Sequence, residues 1–273
     1  MEYEGYLNLF LSHLDELRVR LLRILKVFFV FFAIFLIFDL RTVSLLGMKF
    51  PFLYPDFFHN IGAQFFTAIE HHVLTKGYVT ITLNPTDGVV ADFYSSMFLA
   101  FALTIPVTID QVGKFISPGL KANESQAMRS VVVPGSLLFV LGSFVGIYFF
   151  MPDLFRIFYL YDVGLGAVPD LSISKLVSFI FIYTLVFGLS FEVPIFMIML
   201  SRFGVVPSSY WREKWRYAVV GALLFGLILS PGVTGFTMMA MAIPMILLYF
   251  AGIYFARRAE QKYSVEKDTV VEA

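Results

Sequence analysis

A chain of 273 residues with 59% apolar and 18% aromatic residues, and a mean hydropathy of +0.80, carries more apolar surface than a soluble domain of this size buries. It reads as an all-α polytopic membrane protein with room for six or seven spans of roughly 20 residues. The absence of cysteine excludes disulfides, thiolate metal sites and a cysteine nucleophile, and a formal net charge of zero excludes a generally basic surface for nucleic acid.

The first predicted element is amphipathic. In Phe10–Arg23, FLSHLDELRVRLLR, helical spacing puts Phe10, Leu14, Leu17 and Leu21 on one face and His13, Asp15, Glu16, Arg18 and Arg20 around the rest. It runs without a breaker into the charge-free Val27–Phe38, giving a first span of about 22–40 with a carboxylate-bearing helix at its mouth. A basic start followed by an apolar run also describes a signal peptide. Here the basic stretch carries acids, no small-residue cleavage site follows Phe38, and further spans come after, so the segment reads as a retained span.

Residues Arg41–Ala91 form the longest polar interval, and the pieces Phe57–Val73 and Thr80–Leu83 read as short amphipathic segments along the membrane interface. His71 and His72 are adjacent, so on a helix they point about 100° apart and read as a solvated pair, not as metal ligands. The second span is about 93–112, interrupted by Pro106, and the loop Asp110–Arg129 follows. The third, about 130–151, contains Gly142 and Gly146 one turn apart, which lets a neighbouring helix come close. After an outer interval, Pro152–Ser172, the fourth span covers about 173–200.

Glu192 lies inside that fourth span beside Pro194. A carboxylate at this depth costs several kcal/mol against lipid, so it faces protein or a water pocket. Two readings stand: the lining of a polar cavity, or a locally satisfied hydrogen-bonding residue.

SPGVTG at Ser230–Gly235 divides the last apolar block into spans of about 217–229 and 236–255. The fifth covers only about 20 Å of a hydrocarbon core about 30 Å thick, a mismatch relieved by local thinning or by a partner. Residues 259–273 are charged and aperiodic, the pattern of a mobile tail beyond a single membrane domain, 1–258. Fifteen basic residues fall on the side of both termini against five on the other, which orients six spans with both ends in the cytoplasm and the chain in the cell membrane.

Four motifs in order now carry a resemblance: HLDELRVR (His13–Arg20), QVGKFISPGLKANE (Gln111–Glu124), FGLSFEVPI (Phe187–Ile195) and AIPM (Ala242–Met245). Together they resemble the TatC family, the receptor subunit of the twin-arginine protein translocase, over about His13–Arg258. The resemblance implies six spans in a concave bundle with short fifth and sixth helices, no cofactor and no metal. It also implies recognition of signal peptides bearing paired arginines, export of folded cargo driven by the proton gradient, and work with small single-span TatA-type subunits. By motif match Glu16 and Glu124 fall where such receptors hold the arginine pair, Arg18 and Gln111 at further positions of the same face, and Glu192 at the polar fourth-span position. Phe115, Pro118 and Leu120 would shape the loop. Chemically, two guanidinium forks suit two separated carboxylates, each accepting a bidentate pair, which lysine cannot reproduce.

Read without the family, Glu16 is an i,i+4 partner of Arg20 and Glu124 a solvated loop acid. The chain departs from the pattern at Gly232, where an acid commonly follows the turn proline Pro231, at Ser125–Gln126, where basic residues are common, and in a long first outer interval. The rival from another class is a proton-coupled secondary transporter using Glu192; no repeat relates the two halves to favour it. An intramembrane hydrolase lacks HExxH, GxSxG and paired intramembrane aspartates. A structural scaffold and a homo-oligomer are left open by the residues.

Overall fold

The computed structural model describes the backbone of residues 2–45, 48–116, 122–229 and 235–271, and the side chains of 11, 13–41, 52–115, 131–228, 235 and 238–261. It is mostly helical, in the order α1 (Glu2–Ile37), β1 (Phe38–Leu45), β2 (Met48–Pro55), α2 (Ile61–Val73), β3 (Val79–Ile81) and α3 (Asp87–Ile116). Next come α4 (Ala122–Val145), a π turn (Gly146–Phe150), α5 (Met151–Gly164), β4 (Asp170–Ser172), α6 (Ile173–Arg202), α7 (Ser208–Glu213), α8 (Trp215–Leu229) and α9 (Gly235–Val271). Among the described residues four helical stretches are long and apolar enough to cross a membrane: Asp87–Phe115, Val131–Gly164, Ile173–Arg202 and Met238–Gln261. The helix of α8 is apolar but shorter, and in α1 the basic residues Arg20, Arg23 and Lys26 stand close before the charge-free run.

The chain divides into two compact units. One comprises Leu21–Ile105 and Phe144–Leu185. Its most distinctive part is a hairpin unexpected from the sequence: β1 pairs antiparallel with β2 from Phe38↔Pro55 to Leu45↔Met48. Aromatic and β-branched residues suit strands, and side-chain bonds tie the open end of the hairpin down. Buried Asp39 accepts from Gln64 Nε2 and from Arg41, whose Nη2 also donates to Asp56 at 2.8 Å. Asp56 in turn accepts the backbone N–H groups of Phe58 at 2.9 Å and His59 at 3.1 Å. These bonds favour its charged form and hold its pKa below the usual carboxylate value, the Phe58 amide foremost.

Helix α2 begins where Asn60 Oδ1 accepts Ala63 N–H at 2.8 Å, an N-cap bond. It buries Gly62, Phe66, Ile69 and Val73, one stripe at helical spacing. Gly62 is needed for close approach, since a Cβ there would stand 2.2 Å from Ser96 Oγ of α3. Residues 80–81 belong to the parallel pair β3–β4, not to an amphipathic piece. Tyr78 Oη donates to Phe155 O at 3.2 Å, and burial, with Asp162 and Tyr159 nearby, pushes the phenol up to about 12, so it keeps the proton it donates.

The other unit comprises Met1–Arg20, Pro106–Ser143 and Val186–Ala273. Here α4 and α6 interlock through glycines from both sides. A Cβ on Gly142 would stand 2.7 Å from the Phe191 ring, and one on Gly188 would stand 2.5 Å from Phe139. A Cβ on Gly252 of α9 would stand equally close to Met197 Sδ, and one on Gly226 of α8 to the Met238 carbonyl of α9. In a bilayer, where lipid is as apolar as leucine, such close approach is what holds helices together.

Several boundaries differ from the sequence reading, beginning with the first span, which stops at Ile37 because Phe38–Leu40 belong to β1. The helix after the third span runs on through Pro152 to Gly164 because Met151 N–H reaches back five residues to Gly146 O, a π turn directly before the residue with no N–H to give. The loop 110–129 is shorter, with α3 reaching Ile116 and α4 starting at Ala122. Helix α9 continues to Val271, through a stretch of alanine, glutamate, glutamine and lysine, all good helix formers.

Candidate functional site

In the unit holding the chain's start, Arg20 Nε donates to Glu16 Oε1 at 3.0 Å, and Nη2 contacts the same oxygen. The i,i+4 pair foreseen from spacing is therefore formed. Glu16 keeps about a third of its side-chain surface open, 31%, so it is an available acceptor with one cation already on it. Arg18 is exposed, and so are Leu14, Leu17 and Leu21, so that part of the apolar stripe of α1 is uncovered among the described residues.

One turn before Glu16, the His13 ring meets Phe115 edge-on, with centroids 6.5 Å apart. The start of α1 and the end of α3, about a hundred residues apart in sequence, are thus in contact. On α3 the side chain of Gln111 is buried and donates to Asp110 Oδ2 at 2.8 Å, while Lys114 Nζ holds the same oxygen at 2.7 Å. Phe115 is half-buried. Pro118 and Leu120 lie outside the described residues, as do Pro231 and Gly232. Glu124 has its backbone in the first turn of α4, where a negative charge complements the helix dipole; its side chain lies outside the described residues.

Glu192 stands in contrast. It is 2% exposed, and neither carboxylate oxygen has a hydrogen-bond partner among the described residues. It meets the bare face of a glycine: a Cβ on Gly135 of α4 would lie 3.2 Å from Glu192 Oε2, 2.6 Å from Ile109 Cδ1 and 3.4 Å from Ile195 Cγ2. The sequence shows both the carboxylate and, in the third span, Gly135, the residue whose missing side chain leaves room for it, but does not join the two. The glycine was visible, yet nothing in the sequence said which helix its bare face would meet.

A family model described as Sec-independent protein translocase protein (TatC) matches residues 12–244. The chain belongs to the TatC family. It is 32% identical over 253 residues to the Sec-independent protein translocase protein TatC of Cenarchaeum symbiosum, covering 93% of this chain and 96% of that one. To the TatC of Escherichia coli K12 it is 27% identical, over 90% of this chain and 87% of the relative. A solved crystal structure described as the twin arginine translocase receptor TatC superposes with a TM-score of 0.71 at 27% identity, covering 90% of this chain and 99% of that chain. As a TatC protein the chain is a membrane component of the Sec-independent, twin-arginine protein translocase, a protein-transport system.

Proposed function

We propose that this TatC protein is the core receptor of its translocase, holding the paired arginines of a signal peptide on Glu16 and Glu124 and so starting the export of folded cargo. The observation that supports this reading most directly is the His13–Phe115 contact, because it joins the α1 turn carrying Glu16 to the helix that leads into the Glu124 segment. Arg18, Gln111, Phe115 and Pro118 shape the same face. The uncovered leucines of α1 offer apolar contact to the hydrophobic stretch that follows the arginines in such a signal.

Six spans over 1–258 complete the proposal, with both termini in the cytoplasm, a concave membrane-embedded face carrying Glu192, and a cytoplasmic tail at 259–273 that extends α9. Small single-span TatA-type subunits form the passage with it, since six helices enclose no pore for a folded domain. The chain does no chemistry of its own: the proton gradient supplies the energy, and the role is non-enzymatic.

The test is titration of the full-length chain in detergent with a fluorescent twin-arginine signal peptide. Each bidentate carboxylate–guanidinium pair is worth about 1–3 kcal/mol when partly shielded and less when exposed. Glu16→Gln with Glu124→Gln should therefore weaken binding at least about tenfold, as should replacing the peptide's arginine pair by lysines. Unchanged affinity in the double variant removes both acids from the receptor role.

A further inference from the structure

The segment Tyr210–Tyr217, YWREKWRY, alternates aromatic and basic residues, a pattern that the receptor reading does not use. In the structure it forms the end of α7 and the start of α8, and α9 runs alongside. Ser208 N–H donates to Glu260 Oε2 at 3.0 Å, Tyr249 Oη donates to Trp211 O at 2.8 Å, and Trp215 faces Phe250 with ring centroids 6.1 Å apart. The exposed Arg257 and Arg258 of α9 sit one turn from Tyr254 and just before Glu260, and so join the same corner.

The described ion pairs of the chain lie elsewhere. Arg20, Arg41 and Lys114 each hold a carboxylate. Among the described residues Arg212, Lys214, Arg216, Arg257 and Arg258 hold none, although all five are exposed. Four aromatic rings support three of them instead. Lys214 Nζ lies 5.9 Å from the Tyr210 ring and 5.4 Å from Tyr217, Arg216 lies 5.7 Å from Trp215, and Arg258 lies 4.7 Å from Tyr254. Glu213 is the one acid between Tyr210 and Tyr217, and Glu260 is committed to the Ser208 amide.

Tyr217 keeps 73% of its surface exposed at the first turn of an apolar helix, which is wasteful in water and favourable at the level of lipid headgroups, where amphipathic rings settle. We infer that the corner made by α7, the start of α8 and the Tyr254–Arg258 stretch of α9 is a docking surface for anionic phospholipid. The lipid phosphodiester and its headgroup charge sit among Lys214, Arg216 and Arg258, while the tryptophan and tyrosine rings rest at the boundary with the acyl chains. The charge alone would suit an acidic protein segment, but the ring of exposed aromatics at the mouths of two apolar helices favours the bilayer. The surface needs neither the signal-peptide site nor the span count.

Both tryptophans of the chain, Trp211 and Trp215, stand at this corner, so selectively excited tryptophan fluorescence reads it alone. The experiment places the full-length protein in phosphatidylcholine nanodiscs and adds phosphatidylglycerol or phosphatidylcholine with brominated chains. Each cation near an anionic leaflet is worth about fivefold in local lipid enrichment. Phosphatidylglycerol should therefore quench at mole fractions at least about tenfold lower than phosphatidylcholine. Lys214→Gln, Arg216→Gln and Arg258→Gln together should erase that preference, and the charge-conserving Lys214→Arg, Arg216→Lys and Arg258→Lys should keep it. Lys76→Gln with Lys175→Gln, elsewhere on the chain, should leave it unchanged. Equal quenching by the two lipids, a preference surviving the triple glutamine variant, or one lost in the Lys76 and Lys175 control overturns the assignment. So does loss of the preference on adding millimolar inorganic phosphate or a short polyglutamate peptide, which would indicate a free anion or an acidic protein as the natural occupant.

Discussion

Glu16 and Glu192 belong to the same compact unit and live under opposite physics. Glu16 lies on an open helix face, holds Arg20 and keeps a third of its side-chain surface exposed. Glu192 is buried against Gly135 with no donor for either oxygen among the described residues. The first carboxylate costs the fold almost nothing. The second takes a group that water solvates strongly and puts it where several kcal/mol of solvation are lost. An acid on the surface can be kept or exchanged with little effect on folding, whereas a buried, unpartnered one persists only where something other than stability retains it.

The largest effect that would break this comparison comes from filling the space beside Glu192. Gly135→Leu drives new atoms against Ile109 and the carboxylate from a starting separation already below contact distance. Overpacking of a tight interface costs about 1–3 kcal/mol, and this site should fall at the upper end or beyond it. Thermal unfolding of the purified variant in detergent should show a marked drop, or the protein should fail to accumulate. A variant as stable as the parent would mean that α3, α4 and α6 do not close around Glu192.

The next effect has the opposite sign. Glu192→Leu removes the uncompensated carboxylate and substitutes a side chain suited to its surroundings, so stability should rise by about 1–3 kcal/mol. Export of a twin-arginine reporter should fall in the same variant. That combination marks a residue held for function at the expense of the fold. A loss of stability would instead make Glu192 the structural hydrogen-bonding residue that the sequence also allowed.

How far each region was legible follows from the range of the interactions that make it. Helix α6 matches the fourth span read from its charge-free stretch Leu176–Phe191, because hydrophobic patterning acts within a few residues. The Glu16–Arg20 pair was equally readable, one turn of helix being enough to define it. The hairpin Phe38–Pro55 was not. Its strands carry Pro51 and Pro55 and fall across the end of the first predicted span and the polar interval after it, and its anchor at Asp39 comes from Gln64, 25 residues onward. Pro152 looked like the end of a helix because a π turn leaves no mark in composition. The glycine beside Glu192 and the shared corner of Trp215 and Arg258 both needed the packing of separate helices, which local periodicity does not encode.

The smallest expected effect sharpens the comparison from its exposed side. If Glu16 receives a guanidinium from a signal peptide, Arg20 already occupies the acceptor and must move or share it. An i,i+4 pair on a helix surface is worth about 0.2–0.5 kcal/mol. Arg20→Gln should therefore leave folding within that range and strengthen signal-peptide binding by about twofold, through the loss of a competitor and of a like charge. The same titration used for the Glu16 and Glu124 variants measures it. Weaker binding would mean that Arg20 orients Glu16 for the incoming arginine, so that the pair acts as a preset acceptor and not as a latch to be displaced.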